Sequence, residues 1–178
     1  MENLTMTKNT KLIKGITAGV FDLCHSGHLA MFRECKDQCD YLTVLVQVDP
    51  SQHRVGKQKP IETIWERYDR IMSSRYVDRV IPYETEEDLR NMLSILKYDK
   101  RFIGEDHKHG IFTGDYMRPD TFVWNKRTHN YSSTNLRERI VNEATFVTSD
   151  NVLLDSVGGL SDEIIKDINI QNYELKGK

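Results

Sequence analysis

Two histidines, His25 and His28, stand three residues apart in the run Gly19-Val20-Phe21-Asp22-Leu23-Cys24-His25-Ser26-Gly27-His28. On a helix that spacing brings both imidazoles to one face, and imidazole exchanges hydrogen bonds and protons near neutral pH. Gly27 between them leaves no side chain in the way of a ligand approaching the backbone. Where a helix begins, unpaired N–H groups and the positive end of the dipole already favour an anion. These features suit phosphoryl chemistry. Two further groups of residues fit it. The loop 49–60 carries His53, Arg54, Lys57 and Lys59, and Arg127 and Thr128 precede the hydroxyls of Ser132, Ser133 and Thr134. Lysine or arginine beside hydroxyls and free N–H groups converges on phosphate oxygens. Asp106 reads either as a partner for Mg²⁺ or a hydroxyl, or as the cap of the next turn. His107 and His109 read as surface loop residues, and Phe21 and Asp22 as holding their turn by packing and local hydrogen bonds.

A zinc site is the sharpest rival, because Cys24, His25, His28, Cys35 and Cys39 lie close together. Cys35 and Cys39, however, fall four apart on an apolar helical stripe and read as small buried hydrophobes. No second pair with zinc-ligand spacing exists. No protein-held metal is expected.

The elements that must position these residues follow from periodicity. An apolar run (Leu12, Ile13, Ile16, Val20) predicts a strand, and Leu29, Phe32, Cys35 and Cys39 a helix over about 27–39. Tyr41–Val48 is apolar on nearly every residue, as a strand buried on both faces should be. Strand, helix and strand within this length make a βαβ unit, hence a parallel sheet with a right-handed crossover. The basic loop then lies at the carboxyl end of a strand, where open α/β sheets bind ligands. Ile61, Ile64, Trp65, Tyr68, Ile71 and Met72 predict an amphipathic helix with Trp65 in the core and Arg67 and Arg75 off the stripe. Tyr76–Pro82 reads as a strand stopped by proline. Thr85 reads as an N-cap with Glu86, Glu87 and Asp88 as dipole partners, and Leu89, Met92, Leu93 and Leu96 as the buried stripe. Arg101–Ile103 and Thr121–Trp124 are the fourth and fifth strands, and a helix covers about 133–142. Residues 1–10 read as a loose leader, and Leu160, Ile164, Ile165 and Ile168 as a short closing helix in a tail over 144–178.

The 178 residues are 38% hydrophobic and 29% charged with a formal net charge of -2. That suits one globular domain over 11–143 and argues against a polyanion such as nucleic acid as partner. No apolar run reaches bilayer length, and Met1–Lys14 lacks a signal-peptide core. Three cysteines make no disulfide framework and suit a reducing, cytoplasmic setting.

The Gly19–His28 run resembles the G-x-F-D-x-x-H-x-G-H signature of the cytidylyltransferase branch of the nucleotidyltransferase superfamily. Arg67 to Pro82 looks like the matching stretch of glycerol-3-phosphate cytidylyltransferases, Ile103–Asp106 resembles their M-G-D-D segment, and Arg127–Thr134 their R-T-x-G-I-S-T-T signature. Val20 departs from the usual threonine and is closer to the choline- and ethanolamine-phosphate enzymes. Asn130, Tyr131 and Ser133 depart from the last signature. The resemblance implies a Rossmann-like open parallel sheet with helices on both faces, and transfer of CMP from CTP to a small phosphorylated alcohol. It implies His25, His28, Lys57 and Arg127 as catalytic. Gly19, Val20, Phe21, Asp22, Gly27, Asp106, Thr128, Ser132, Ser133 and Thr134 would hold the nucleotide, and Lys59, Arg67 and Arg75 the substrate phosphates. Mg²⁺ would arrive with the triphosphate, and the domain would pair as a homodimer. The alternatives within this frame are an adenylyltransferase, a different acceptor (phosphocholine, phosphoethanolamine or a sugar phosphate), or a nucleotide-binding module without turnover.

Overall fold

The computed structural model describes residues 11–126 and 130–149. Five strands form one parallel sheet: β1 (Lys14–Gly19), β2 (Tyr41–Gln47), β3 (Arg79–Tyr83), β4 (Lys100–Gly104) and β5 (Phe122–Asn125). Their order is β3-β2-β1-β4-β5. Four helices connect or follow them: α1 (Ser26–Lys36), α2 (Ile64–Met72), α3 (Glu86–Ile95) and α4 (Ser133–Ser149). The chain divides into two compact units, Met1–Ser133 and Thr134–Lys178, and the whole sheet belongs to the first. The expected leader 1–10 and the helix expected around Leu160–Ile168 lie outside the described residues. Among those described, no helix is long and apolar enough to cross a membrane.

The fold is the expected α/β Rossmann-like sheet covered on both faces. Along β2, side chains alternate between faces. Leu42, Val44 and Val46 join Phe32 and Cys35 of α1 and Ile71 of α2 in one core. Leu45 joins Ile16, Leu89 and Leu93 in the other, under α3. Sequential strands step outward from β1 to β3, and the chain then crosses back to β4 on the far side of β1. The strand order therefore reverses between β1 and β4, where the carboxyl ends splay and leave a crevice. Gly15 lets β1 lie tight against its neighbours, since a Cβ there would meet Phe102 Cε2 at 2.6 Å and Cys39 Sγ at 2.7 Å.

Several boundaries differ from the periodicity, each for a physical reason. α1 ends at Lys36, where the Asp37 N–H bonds to the Arg33 carbonyl. Cys39 is buried beyond the helix rather than on it, while Leu29 is 39% exposed, because the stripe that meets the sheet is Phe32 and Cys35. α2 begins only at Ile64, behind a Thr63–Glu66 capping box, and buries Ile71 together with Arg67. Ile61 precedes the helix, and Trp65 is 67% exposed rather than in the core. Pro82 does not stop its strand. It lies inside β3, opposite Val46, and β3 is an edge strand where a missing N–H costs no ladder bond. Thr85 caps α3 as expected: its hydroxyl accepts the Asp88 N–H, and the Asp88 carboxylate accepts from the Thr85 N–H and hydroxyl.

Candidate active site

Past Gly19 the chain turns through Phe21 and Leu23, both in the left-handed region (φ 54° and 59°). For residues with a Cβ that backbone costs roughly 1–2 kcal/mol and persists only where packing enforces it. Phe21 supplies that packing. Its buried ring lies so close to Gly19 that a Cβ there would sit 2.9 Å from Cζ. The same ring meets His28 edge to face, with centroids 5.3 Å apart, and Phe32 at 5.2 Å. Gly19, Phe21 and His28 are therefore one packed unit.

His25 is the N-cap of α1, its Nδ1 accepting the Gly27 N–H at 3.1 Å. A neutral ring that accepts at Nδ1 carries its proton on Nε2, so the cap fixes the tautomer and makes Nε2 the donor. His28 stacks on His25 with centroids 3.8 Å apart and planes 22° off parallel. The structure thus brings the predicted pair together at the start of α1.

Asp22 works differently from the expected local brace. It is 4% exposed, and its carboxylate accepts from the N–H groups of Ile61 at 3.2 Å and Glu62 at 3.0 Å, forty residues away. Its carbonyl accepts the Ser133 hydroxyl at 3.0 Å, which fixes the residue where α4 begins. One aspartate therefore ties the histidine turn to the segment leading into α2.

Arg67 corrects a second expectation. At 1% exposure it faces no substrate. Its guanidinium donates to the carbonyls of Glu62, Val20, Gln47 and Val48. Burial pushes it below the ordinary arginine range, while the nearby charges of Asp22, Glu62 and Asp49 work to hold it up. It is a strut under the carboxyl ends of β1 and β2. Arg75, also expected on substrate phosphate, is exposed over the Tyr76 ring beyond the end of α2. That is just before β3 starts, at the amino edge of the sheet, away from the crevice.

The crevice is a cavity of about 570 Å³ at the β1/β4 switch point. Of the predicted site residues, Gly19, Val20, Lys57 and Asp106 line it. His25, His28, Phe21, Asp22, Gly27, Lys59, Ser132, Ser133 and Thr134 do not. Arg127 and Thr128 lie outside the described residues. The site accordingly has two parts joined through Gly19 and Val20: the imidazole stack at α1, and a cavity whose walls are rich in cations. His107 lines the cavity too, contrary to its reading as a bystander on the surface.

Arg54 of the basic loop lines the cavity as well, and sequence reasoning passed over the charged lining residues Glu86, Arg90, Arg101 and Asp115. Arg101 lies buried in β4, donating to the carbonyls of Thr113 at 2.5 Å and Gly114 at 2.7 Å. Its place directly before the apolar pair Phe102-Ile103 was its signal. Glu86 reads as an ordinary first-turn acid of α3, yet its Oε1 accepts from Gln47 and Arg54, both at 3.2 Å. Its Oε2 accepts the Thr113 hydroxyl. Nothing in its local sequence announces those partners.

No group of three or more His, Cys, Asp or Glu side chains among the described residues is arranged to hold a metal. Cys35 is buried with its thiol toward Asn125 and pushed well above the ordinary range by burial.

A sheet of this order, a cavity at its switch point and a capped histidine pair beside it define a nucleotide-handling α/β enzyme. The chain belongs to the Cytidylyltransferase-like family, whose model matches residues 16–139, and it is a nucleotidyltransferase. It is 33% identical over 129 residues to the glycerol-3-phosphate cytidylyltransferase of Bacillus subtilis, covering 71% of this chain and 96% of that protein. It is 33% identical over 113 residues to the bifunctional protein HldE of Granulibacter bethesdensis, which covers 62% of this chain but only 23% of that one. To the FAD synthase of Aciduliprofundum boonei it is 34% identical over 97 residues, 51% of this chain and 64% of that protein. Among solved structures, the lipopolysaccharide core biosynthesis protein of Thermoplasma volcanium superposes with a TM-score of 0.54 at 26% identity, over 68% of this chain and all of that one.

Proposed function

We propose that the protein transfers CMP from CTP to a small phosphorylated alcohol, with glycerol 3-phosphate the first choice, and releases pyrophosphate. The observation that carries this is the His25 cap. A ring held as the Nε2–H tautomer and stacked on His28 is a preorganised donor for charge developing on the α-phosphate. An oxygen of the acceptor phosphate attacks the α-phosphorus in line, the bond to the bridging oxygen breaks, and pyrophosphate leaves. The acceptor is already anionic, so no protein nucleophile is needed, and catalysis is positioning and charge stabilisation. Lys57 neutralises phosphate from the cavity wall. By resemblance, Arg127 neutralises CTP or acceptor phosphates, Thr128 contacts the nucleotide, and Ser132, Ser133 and Thr134 hold the β- and γ-phosphates. Lys59 is assigned to acceptor phosphate on the same ground. Mg²⁺ would enter with the triphosphate and offset its charge, and Asp106 on the cavity wall is the predicted residue that would help to hold it. Pairing as a homodimer and a cytoplasmic setting rest on the resemblance and the cysteine usage.

The similarity to an FAD synthase, whose product contains an adenylyl group, favours one second reading: ATP as the donor. Pyrophosphate release measured with each of CTP, ATP, GTP and UTP, against glycerol 3-phosphate, phosphocholine, phosphoethanolamine and sugar phosphates, decides between them. Turnover with CTP and a phosphorylated alcohol is the expected result. Turnover with ATP alone replaces the donor, and tight CTP binding without pyrophosphate release removes the enzyme reading.

A further inference from the structure

Glu86 holds together more than an acid in the first turn of a helix needs to. Gln47 at the end of β2, Arg54 of the basic loop and Thr113 of the β4–β5 connection all donate to its carboxylate. Three segments of the cavity wall thus converge on one side chain that itself lines the cavity. The Arg54 ion pair at 3.2 Å offsets its charge. What remains is hydrogen-bond acceptance rather than net negative potential. A carboxylate offers about four acceptor positions. Donors among the described residues use three, two on Oε1 and one on Oε2.

The surroundings sort the possible acceptors. Lys57, Arg90 and Arg101 line the same cavity. Of the two other acids there, Asp106 has a side chain 74% exposed, so water screens it, and the half-buried Asp115 acts on Arg101. A phosphate suits such walls, whereas an ammonium group brought in with it meets the charges of Lys57, Arg90 and Arg101, and Glu86 is already paired with Arg54. A hydroxyl meets no such penalty and finds an acceptor in Glu86.

Resting on the proposed function, we infer that Glu86 determines acceptor specificity: its carboxylate accepts a hydrogen bond from a hydroxyl of a polyol or sugar phosphate, and the cavity cations disfavour choline- or ethanolamine-type acceptors. A hydrogen bond to a charged group contributes about 1.5–3 kcal/mol, so losing the hydroxyl should lower kcat/KM by roughly 10–100-fold.

The test measures kcat/KM for the hydroxylated acceptor the enzyme uses best and for its deoxygenated analogue, propyl phosphate in the case of glycerol 3-phosphate. Wild type, Glu86→Gln and Glu86→Asp are compared, the second variant keeping the charge while withdrawing it by one methylene. The expected result is a wild-type preference for the hydroxylated compound that shrinks several-fold in either variant that folds. The acceptor KM should rise while the CTP KM holds. A carboxylate that merely ties loops together would lower both acceptors alike and leave the ratio intact, which overturns the inference. Wild-type preference for phosphocholine or phosphoethanolamine overturns it too, with the transferase reading intact. Failure of every phosphorylated alcohol to release pyrophosphate from CTP removes the function and this inference with it.

Discussion

The Arg67 guanidinium donates to the Val20 carbonyl at 2.9 Å, joining the middle of α2 to the residue that leads into the histidine turn. The same group satisfies Gln47 and Val48 at the end of β2. Replacing it with an isosteric apolar chain strands buried carbonyls beside Asp22. Arg67→Met should lower unfolding free energy by about 3 kcal/mol, the scale for orphaning buried acceptors. Arg67→Lys should recover only part of that, because one ammonium cannot span four carbonyls. Chemical denaturation of the three proteins measures it, and equal stability would show the strut to be dispensable.

His25 serves as a cap and, in the proposed mechanism, as a donor, and the two roles separate. Asparagine is a good N-cap but offers no imidazole Nε2–H. His25→Asn should therefore melt within a degree or two of wild type while kcat falls about 10²–10³-fold, the scale for one preorganised donor. His28→Ala should show a similar fall in kcat. Near-normal turnover in both variants would take the stack out of the chemistry.

Gly15 and Gly104 both have little space for a methyl group, with different expected costs. At Gly15 a Cβ meets the buried Phe102 ring and Cys39. Gly15→Ala should overpack the core and cost about 1–3 kcal/mol. At Gly104 the obstacle is the Asp106 carboxylate, on an exposed side chain that can swing outward. Gly104→Ala should fold nearly as well as wild type. Thermal melts of the pair give the comparison, and the reverse order would refute it.

Stability should fall in acid through the capping boxes. The Asp88 and Glu66 carboxyls are held below their ordinary range, first by the backbone N–H groups of Thr85 and Thr63 and then by the hydroxyls of those residues. A depressed folded-state pKa means the unfolded chain binds the proton first. The contribution is full above the unfolded value of about 4 and is lost as pH drops through the lower folded one. Melting temperature should therefore decline below about pH 4, and less steeply in Asp88→Asn, which has no proton to take up there. An unchanged slope in that variant would show the box adds nothing to the acid limb.

Periodicity and turn chemistry made much of this protein legible in one dimension. Five parallel strands, the Thr85 cap, the βαβ start and the histidine pair at a helix N-terminus all follow from local patterns, because helix caps and strand burial are set by near neighbours. Trp65 and Pro82 mislead for the same reason: exposure depends on which side of α2 meets the sheet, and a proline is tolerated only once β3 is known to be an edge.

What tertiary structure decided is where charge goes. Arg67 and Arg75 look alike in the sequence, yet one is buried beneath the crevice and the other is exposed at the far edge of the sheet. Asp22 and Glu86 read as local partners until Ile61, Arg54 and Thr113, distant in the chain, arrive beside them. A hydrogen bond between segments forty residues apart leaves no periodic trace, so local pattern reveals the parts of the site and only the folded sheet shows which of them meet.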